Sequence, residues 1–533
     1  MHDTVIRAAT VVDGTEAPRY TADVAISDGV IAAIGSELGP ARRVIDADGL
    51  VLSPGFIDMH AHSDLQVLLN PEHPSRITQG VTCEVIGQDG LSYAPVSDET
   101  LAVVRRQIAG WNTDPEDFDF SWRTVGEYLD HLDAAGTATN LAYLVPHGLL
   151  RALTRGFDDG VASPAEVERM QEILAQGLRE GAVGLSTGLT YTPAMYADDA
   201  ELAALMRTTG ELGGYFSPHH RSYGAGAMEA YAEMIDLSRR TGCPLHLAHA
   251  TLNFGPNKGR APELLTLLDE AVAAGADVSL DTYPYLPGAT TLAAILPSWA
   301  AAGGADATLV RLRDPQDLAR IREHLEHTGS DGCHGVIAEW ETIEISGVGD
   351  DALAGYVGRT VARIAADEGR DPFDVCIGIL LDDRLATGIL QHVGHEENVR
   401  AIMRHRTHTG GSDGLLVGGK PHPRAWGTFA RYLGHYSRDL GLMSLEECVG
   451  HLTGRAARRL RLVRRGLVRE GYAADLALFD PDVVIDRATY DAPRTPAAGF
   501  THVFVRGVAA LDDGETTGAL AGGALRLTEE GVL

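Results

Sequence analysis

Apolar and polar positions alternate in short runs through the first 55 residues: VIRAATVVDG, ADVAISDGVIAAIG and VIDADGLVLSPGF. A period of two reads as half-buried strands. Ser27-Asp28-Gly29, between two such runs, predicts a hairpin turn. The end of the chain has the same texture, in GLVREGYAADLALFDPDVVI and THVFVRGVAALDDGE. Residues 1–55 and 465–533 are therefore expected to pair into one small β-domain, a sandwich built from both chain ends.

The middle of the chain, residues 56–464, has a different rhythm. EVERMQEILAQGLREGA has helical periodicity and is followed by the apolar run VGLSTGL. DDAELAALMRTTGELGG precedes YFSPHH, GAMEAYAEMIDLSRRTG precedes CPLHLAHA, and APELLTLLDEAVAAGA precedes DVSLDTYPY. Repeated helix-then-strand units predict an α/β fold with a parallel sheet. Its closed form is a (β/α)8 TIM-type barrel. A doubly wound open sheet is the competing architecture, but no glycine-rich nucleotide loop follows any predicted strand. The rhythm breaks over 286–347, which reads as an insertion between strands seven and eight and a lid over the barrel mouth.

Composition narrows the function. The 533 residues carry 44 Lys plus Arg against 74 Asp plus Glu, 44 − 74 = −30. That balance excludes a nucleic-acid or anionic-membrane binder, both of which need basic patches. No apolar run is long enough to span a bilayer, and MHDTVIRAATVVDG lacks the basic-then-apolar order of a signal peptide. The five cysteines are far apart and form no CxxC pair, so no disulfide framework is expected and the cytoplasm is the expected location. Histidine is abundant at 21, whereas lysine occurs only at Lys258 and Lys420.

The histidines mark the chemistry. PGFIDMHAHSD ends an apolar strand in His60-Ala61-His62. Side chains two apart on a strand share a face, so both imidazoles can reach one metal. His219 in SPHHR and His249 in HLAHA end successive predicted strands, and equivalent strand ends face the same barrel mouth. Alternation aims His220 and His246 elsewhere. Asp413 follows the expected last strand in THTGGSDGL. A carboxylate there can bind metal and take a proton from activated water.

HxH, His, His and Asp on strands one, five, six and eight resemble the amidohydrolase superfamily. GVTCEVIGQDGLSYAP, EGAVGLSTGLTYTPAMYA, DTYPYLPGATTL, GGSDGL and HPRAWGTFARYLG resemble its N-acyl-D-amino-acid deacylase (D-aminoacylase) branch in particular. The resemblance implies a deacylase of linear amides that uses one or two divalent ions, zinc first. Many binuclear members bridge their metals with a carboxylated lysine, but neither lysine here ends a central strand. The deacylase branch is expected to carry a cysteine in a GNCG phrase at this place; here the phrase is Gly87-Gln88-Asp89-Gly90, so the ligand falls on Asp89. Cys83 reads as a small buried strand residue.

The resemblance assigns the substrate carboxylate to Arg424 in HPR and to Tyr283 in YPY, with Tyr191 of GLTYTPA a further pocket residue. The branch's lysine after the sixth-strand histidines falls on Thr251. Ser186-Thr187-Gly188 lacks the GxSxG spacing of a nucleophile elbow and is expected to shape the strand-four mouth. The partner is a small-molecule substrate, and oligomeric state is left open. Two other readings compete: a cyclic-amide hydrolase of the hydantoinase or dihydroorotase kind, and a catalytically inactive barrel that serves as a binding protein.

Overall fold

The computed structural model describes residues 1–533. Eight parallel strands form its centre: Phe56–Asp58, Val81–Ile86, Asn140–Pro146, Gly184–Gly188, Tyr215–His219, Leu245–Leu247, Val278–Thr282 and His408–Gly410, each paired with the next. The ring closes between the last and the first. Met59 N–H donates to Gly410 O at 3.0 Å, and Asp413 N–H donates to His60 O at 2.8 Å. Val81–Ile86 and Asn140–Pro146 are buried at every position. A strand covered on both faces loses apolar alternation and reads as a continuous apolar run.

The crossover helices lie where the 3.6-residue period places them: Pro164–Arg179, Asp199–Glu211, Ala227–Thr241 and Ala261–Ala273. Ser163 and Glu166 form a capping box at the start of the first, satisfying backbone donors that the helix leaves free. Met170, Leu174, Met206, Met234 and Leu268 turn inward from these helices into one 54-residue core with the strands.

The two chain ends do pair. Leu476–Phe479 runs antiparallel to Val51–Pro54, and the sheet continues through His2–Val11 to Val30–Gly35. The domain is one nine-stranded sheet. It curls back so that Val30 bridges to Ala473, enclosing Ile6, Val24, Ile31, Leu52 and Phe504. Asp28-Gly29 make the two-residue hairpin loop, both at positive φ (51° and 78°), the backbone that the twist of a hairpin prefers. The sheet's other face packs Phe479 and Phe500 against Phe56 and Phe429 of the barrel. Val51–Pro54 leads through Gly55 into the first barrel strand, so the small domain fixes the strand that carries His60 and His62.

The excursion between strands seven and eight is longer than the stretch 286–347 marked by the break in rhythm. It holds a three-stranded antiparallel sheet of Gly288–Thr291, Ile343–Gly347 and Gly388–Gln391. Helices Gly304–Arg311, Pro315–Glu323, Val361–Glu368 and Pro372–Asp382 complete it around its own 24-residue core. The helical stretch after 347 has ordinary amphipathic periodicity, which made it indistinguishable from a barrel crossover. No helix is long and apolar enough to cross a membrane.

Candidate metal centre

The strand ends converge on six side chains. His60, His62, Asp89 and Asp413 place one donor atom each within 4.8 Å of one another, and Asp89, His219 and His249 do the same. Asp89 belongs to both groups. Its Oδ1 stands 3.6 Å from His60 Nε2 and 3.5 Å from His249 Nε2; its Oδ2 stands 3.5 Å from His62 Nε2 and 3.6 Å from His219 Nδ1. Asp413 Oδ1 is 3.2 Å from His62 Nε2. The carboxylate of Asp89 therefore sits between two histidine pairs, as a bridging ligand would.

These spacings fit divalent metal. Two ligands about 2.0–2.1 Å from one tetrahedral ion stand roughly 3.3 Å apart, and His60 and His62 present their Nε2 atoms 3.3 Å from each other. His219 Nδ1 and His249 Nε2 are 3.0 Å apart. Asp89 Oδ1 is buried with no hydrogen-bond partner in the protein, an acceptor that a cation satisfies. The local field also favours positive charge. Burial opposes protonation of His62, but Asp413 and Asp89 override it and push His62 up to about 10. Burial likewise opposes ionisation of Asp89 and Asp413. His60, His249 and His219 hold Asp89 well below the usual carboxylate range, and Arg424 and His60 do the same for Asp413.

The loop that carries Asp89 is locked in place. Gly87 N–H donates to Asp64 Oδ1 at 2.8 Å, Gln88 Nε2 to Met59 O at 2.8 Å, and Gly90 N–H to Ser186 Oγ at 3.1 Å. Ser186 thus shapes the strand-four mouth by holding the loop that follows strand two. Gly87 (φ +77°) has no room for a side chain, because a Cβ there would lie 2.3 Å from Leu144 O. Asp89 itself adopts φ +54°, Asp413 +48° and His249 +31°. Left-handed backbone at three non-glycine residues of one site is strain of the kind that concentrates at functional centres.

Asp281, on strand seven, supports the ligands from behind. Its Oδ2 accepts from His246 Nε2 at 3.0 Å and lies 3.7 Å from His60 Nδ1, while its Oδ1 accepts the His249 backbone N–H at 3.0 Å. A carboxylate behind a metal-binding imidazole fixes its tautomer and orientation. Sequence reasoning missed Asp281, although its place at a strand end in DVSLDTYPY was the available signal. Thr190 was missed too; its Oγ1 lies 2.7 Å from His219 Nε2 and nothing in its sequence context marks it. His220, by contrast, packs between Tyr223 and, edge-on, Tyr231, and Cys83 packs with Ile57, Met59 and Leu144 outside the ligand cluster.

The remaining expected residues surround the centre. Arg424 is fully buried at the start of helix Arg424–Arg431. Its Nη2 is 2.9 Å from Asp413 Oδ2, and its guanidinium carbon lies 4.4 Å from the centre of the Tyr283 ring. Arg424 Nε and Nη1 have no partner in the protein. Tyr283, Tyr191, Thr251 and the insertion's His334 and Gln391 line a small cavity of about 60 Å³ over the ligands. Trp111 packs on His62 with ring centres 5.0 Å apart, and Tyr191 packs on His219 at 4.9 Å.

A closed parallel barrel with a buried carboxylate set between histidine pairs at its C-terminal mouth is the arrangement of a metal-dependent hydrolase of the barrel type. Residues 43–510 match the family described as the amidohydrolase family, and the chain belongs to it. D-aminoacylase of Alcaligenes xylosoxydans xylosoxydans is 33% identical over 99% of this chain and 98% of its own length. N-acyl-D-glutamate deacylase of the same organism is 35% identical over 95% and 93%. The N-acyl-D-glutamate deacylase of Bordetella bronchiseptica superimposes with a TM-score of 0.83 at 32% identity, covering 98% of this chain and 99% of that one. That protein was solved with zinc and a phosphonate mimic of the reaction's tetrahedral intermediate.

Proposed function

We propose that the protein hydrolyses the amide bond of N-acyl-D-amino acids with divalent metal, releasing a carboxylic acid and a free D-amino acid. The observation that carries this reading is Asp413, held between the histidines and Arg424 with one oxygen toward each. His60, His62, Asp89, His219, His249 and Asp413 would hold one or two zinc ions. A divalent ion there supplies Lewis acidity, polarising the amide carbonyl and making water acidic enough to lose a proton near neutral pH.

The protein's own groups do the rest. Asp413, kept ionised by Arg424, accepts the proton of the attacking water and returns it to the leaving nitrogen, so that the amine departs neutral. Arg424 and Tyr283 bind the substrate carboxylate: the unpartnered Nε and Nη1 donors offer charge-assisted bonds. A barrel without lysine at the strand ends gives the cyclic-amide reading no bridging carbamate. An inactive binding protein would have no reason to bring these six donors together.

The test is a panel of N-acetyl-D-amino acids, their L-isomers and hydantoins, read as free amino acid by chiral chromatography with zinc-loaded and chelator-stripped enzyme. D-selective release that vanishes on stripping and returns with Zn²⁺ is expected. Hydantoin opening without cleavage of linear amides, or full turnover by metal-free protein, would refute it.

A further inference from the structure

A chamber of about 650 Å³ adjoins the metal centre. Trp111 and Tyr191 line both it and the small cavity over the ligands, so the two spaces share a wall. Tyr191 follows strand four, which in a ring of eight lies diametrically opposite strand eight, and Asp413 and Arg424 come from the segment after strand eight. The barrel supplies Leu91, Phe157 and Met195 to the chamber, and the insertion supplies Leu296, Leu309 and Ala294. Charged groups also line it. Arg106 reaches Asp306 at 3.4 Å between the two flanking helices, and Asp350, Asp351 and Asp382 line the chamber on the insertion side.

We propose that this chamber binds the acyl group of the substrate, and that the enzyme's preferred substrates are N-acyl-D-amino acids with long, uncharged alkanoyl chains. The inference rests on the deacylase reading above. A secondary amide is trans, so its acyl chain and its amino acid leave the scissile bond on opposite sides. Anchoring the carboxylate by strand eight therefore sends the acyl chain toward Tyr191 and Trp111. A pocket of this size ordinarily takes a drug-sized ligand, and an acetyl group would leave it almost unfilled. With six aspartates in its wall against two arginines, Arg106 and Arg384, the chamber disfavours an acyl chain that ends in a carboxylate.

The experiment compares kcat/KM for N-acetyl-, N-hexanoyl-, N-octanoyl- and N-suberoyl-D-leucine. A buried methylene is worth about fourfold, and a gain of roughly 60-fold from acetyl to octanoyl, six methylenes longer, is expected even at half that energy. The suberoyl chain, of the same length with a terminal carboxylate, should lose most of the gain. Ala305→Phe and Ala294→Phe fill the chamber from two separate elements. Either should lower octanoyl turnover at least tenfold and leave acetyl turnover unchanged, with thermal unfolding used to discard a variant that does not fold. Equal rates for acetyl and octanoyl in the wild type would overturn this proposal alone. So would fillings that slow both substrates equally, which would make the chamber an entry path. Failure to cleave any of the four would overturn the deacylase reading, and this proposal with it.

Discussion

Replacing Asp89 by alanine should strip the metal centre, while replacing Cys83 by serine should not. Asp89 is 4% exposed and meets four histidines at 3.5–3.6 Å. Its removal leaves three donors on one side, His60, His62 and Asp413, and two on the other, His219 and His249. Four-ligand zinc sites bind with about 10–16 kcal/mol, so one ligand is worth roughly 2.5–4 kcal/mol by even division. Metal affinity should therefore fall about 100- to 1000-fold, and activity with it. Asp89→Cys supplies a thiolate in the same place and should retain at least one ion. Cys83 sits in an apolar cluster where burial drives its thiol pKa far up, so it is a neutral packing group. Cys83→Ser should cost about 1–3 kcal/mol of stability for burying a hydroxyl and leave metal content intact. The assay is metal per chain by mass spectrometry after dialysis against buffered nanomolar zinc, alongside kcat/KM. An Asp89→Ala protein that keeps wild-type metal affinity, or a metal-depleted Cys83→Ser protein, would refute the assignment.

Arg424→Ala should raise KM about 10- to 100-fold, the loss of a charge-assisted bond worth roughly 1.5–3 kcal/mol. It should also lower kcat, because Asp413 loses its partner; Arg424→Lys should recover only part, since an ammonium lacks the fork, and steady-state kinetics on the D-substrate check both. Away from the chemistry, Glu84 receives Arg76 Nε at 2.7 Å and lies 2.8 Å from His73 Nε2, with Glu84 and Arg76 fully buried. Glu84→Ala removes the nearer of two buried carboxylates facing the Arg76 guanidinium and leaves only Asp58 Oδ2, 3.6 Å from Nε; it should destabilise the fold by about 2–4 kcal/mol, measured by urea unfolding of the metal-loaded protein, and a change below about 1 kcal/mol would show that the pair is dispensable.

The barrel helices and the β-rich ends were legible because each buries a face whose period, 3.6 or 2, is written in consecutive residues. The site was legible for a related reason. Strand ends in a parallel barrel share one mouth, so the positions of His60, His62, His219 and His249 in the sequence imply a common destination. Asp89 came from the resemblance of one phrase, and its chemistry from residue type. Tertiary structure alone decided what distant segments do to one another. It placed the Asp89 carboxylate between two histidine pairs, brought Asp281 behind His60 and His249, and turned Arg424 onto Asp413. It also decided the extent of the insertion and the chamber it builds with the barrel, because helices after residue 347 bury their apolar faces against one another. Amphipathic periodicity states that a face is buried; it carries no information about which surface does the burying, and that choice is made only when the whole chain has packed.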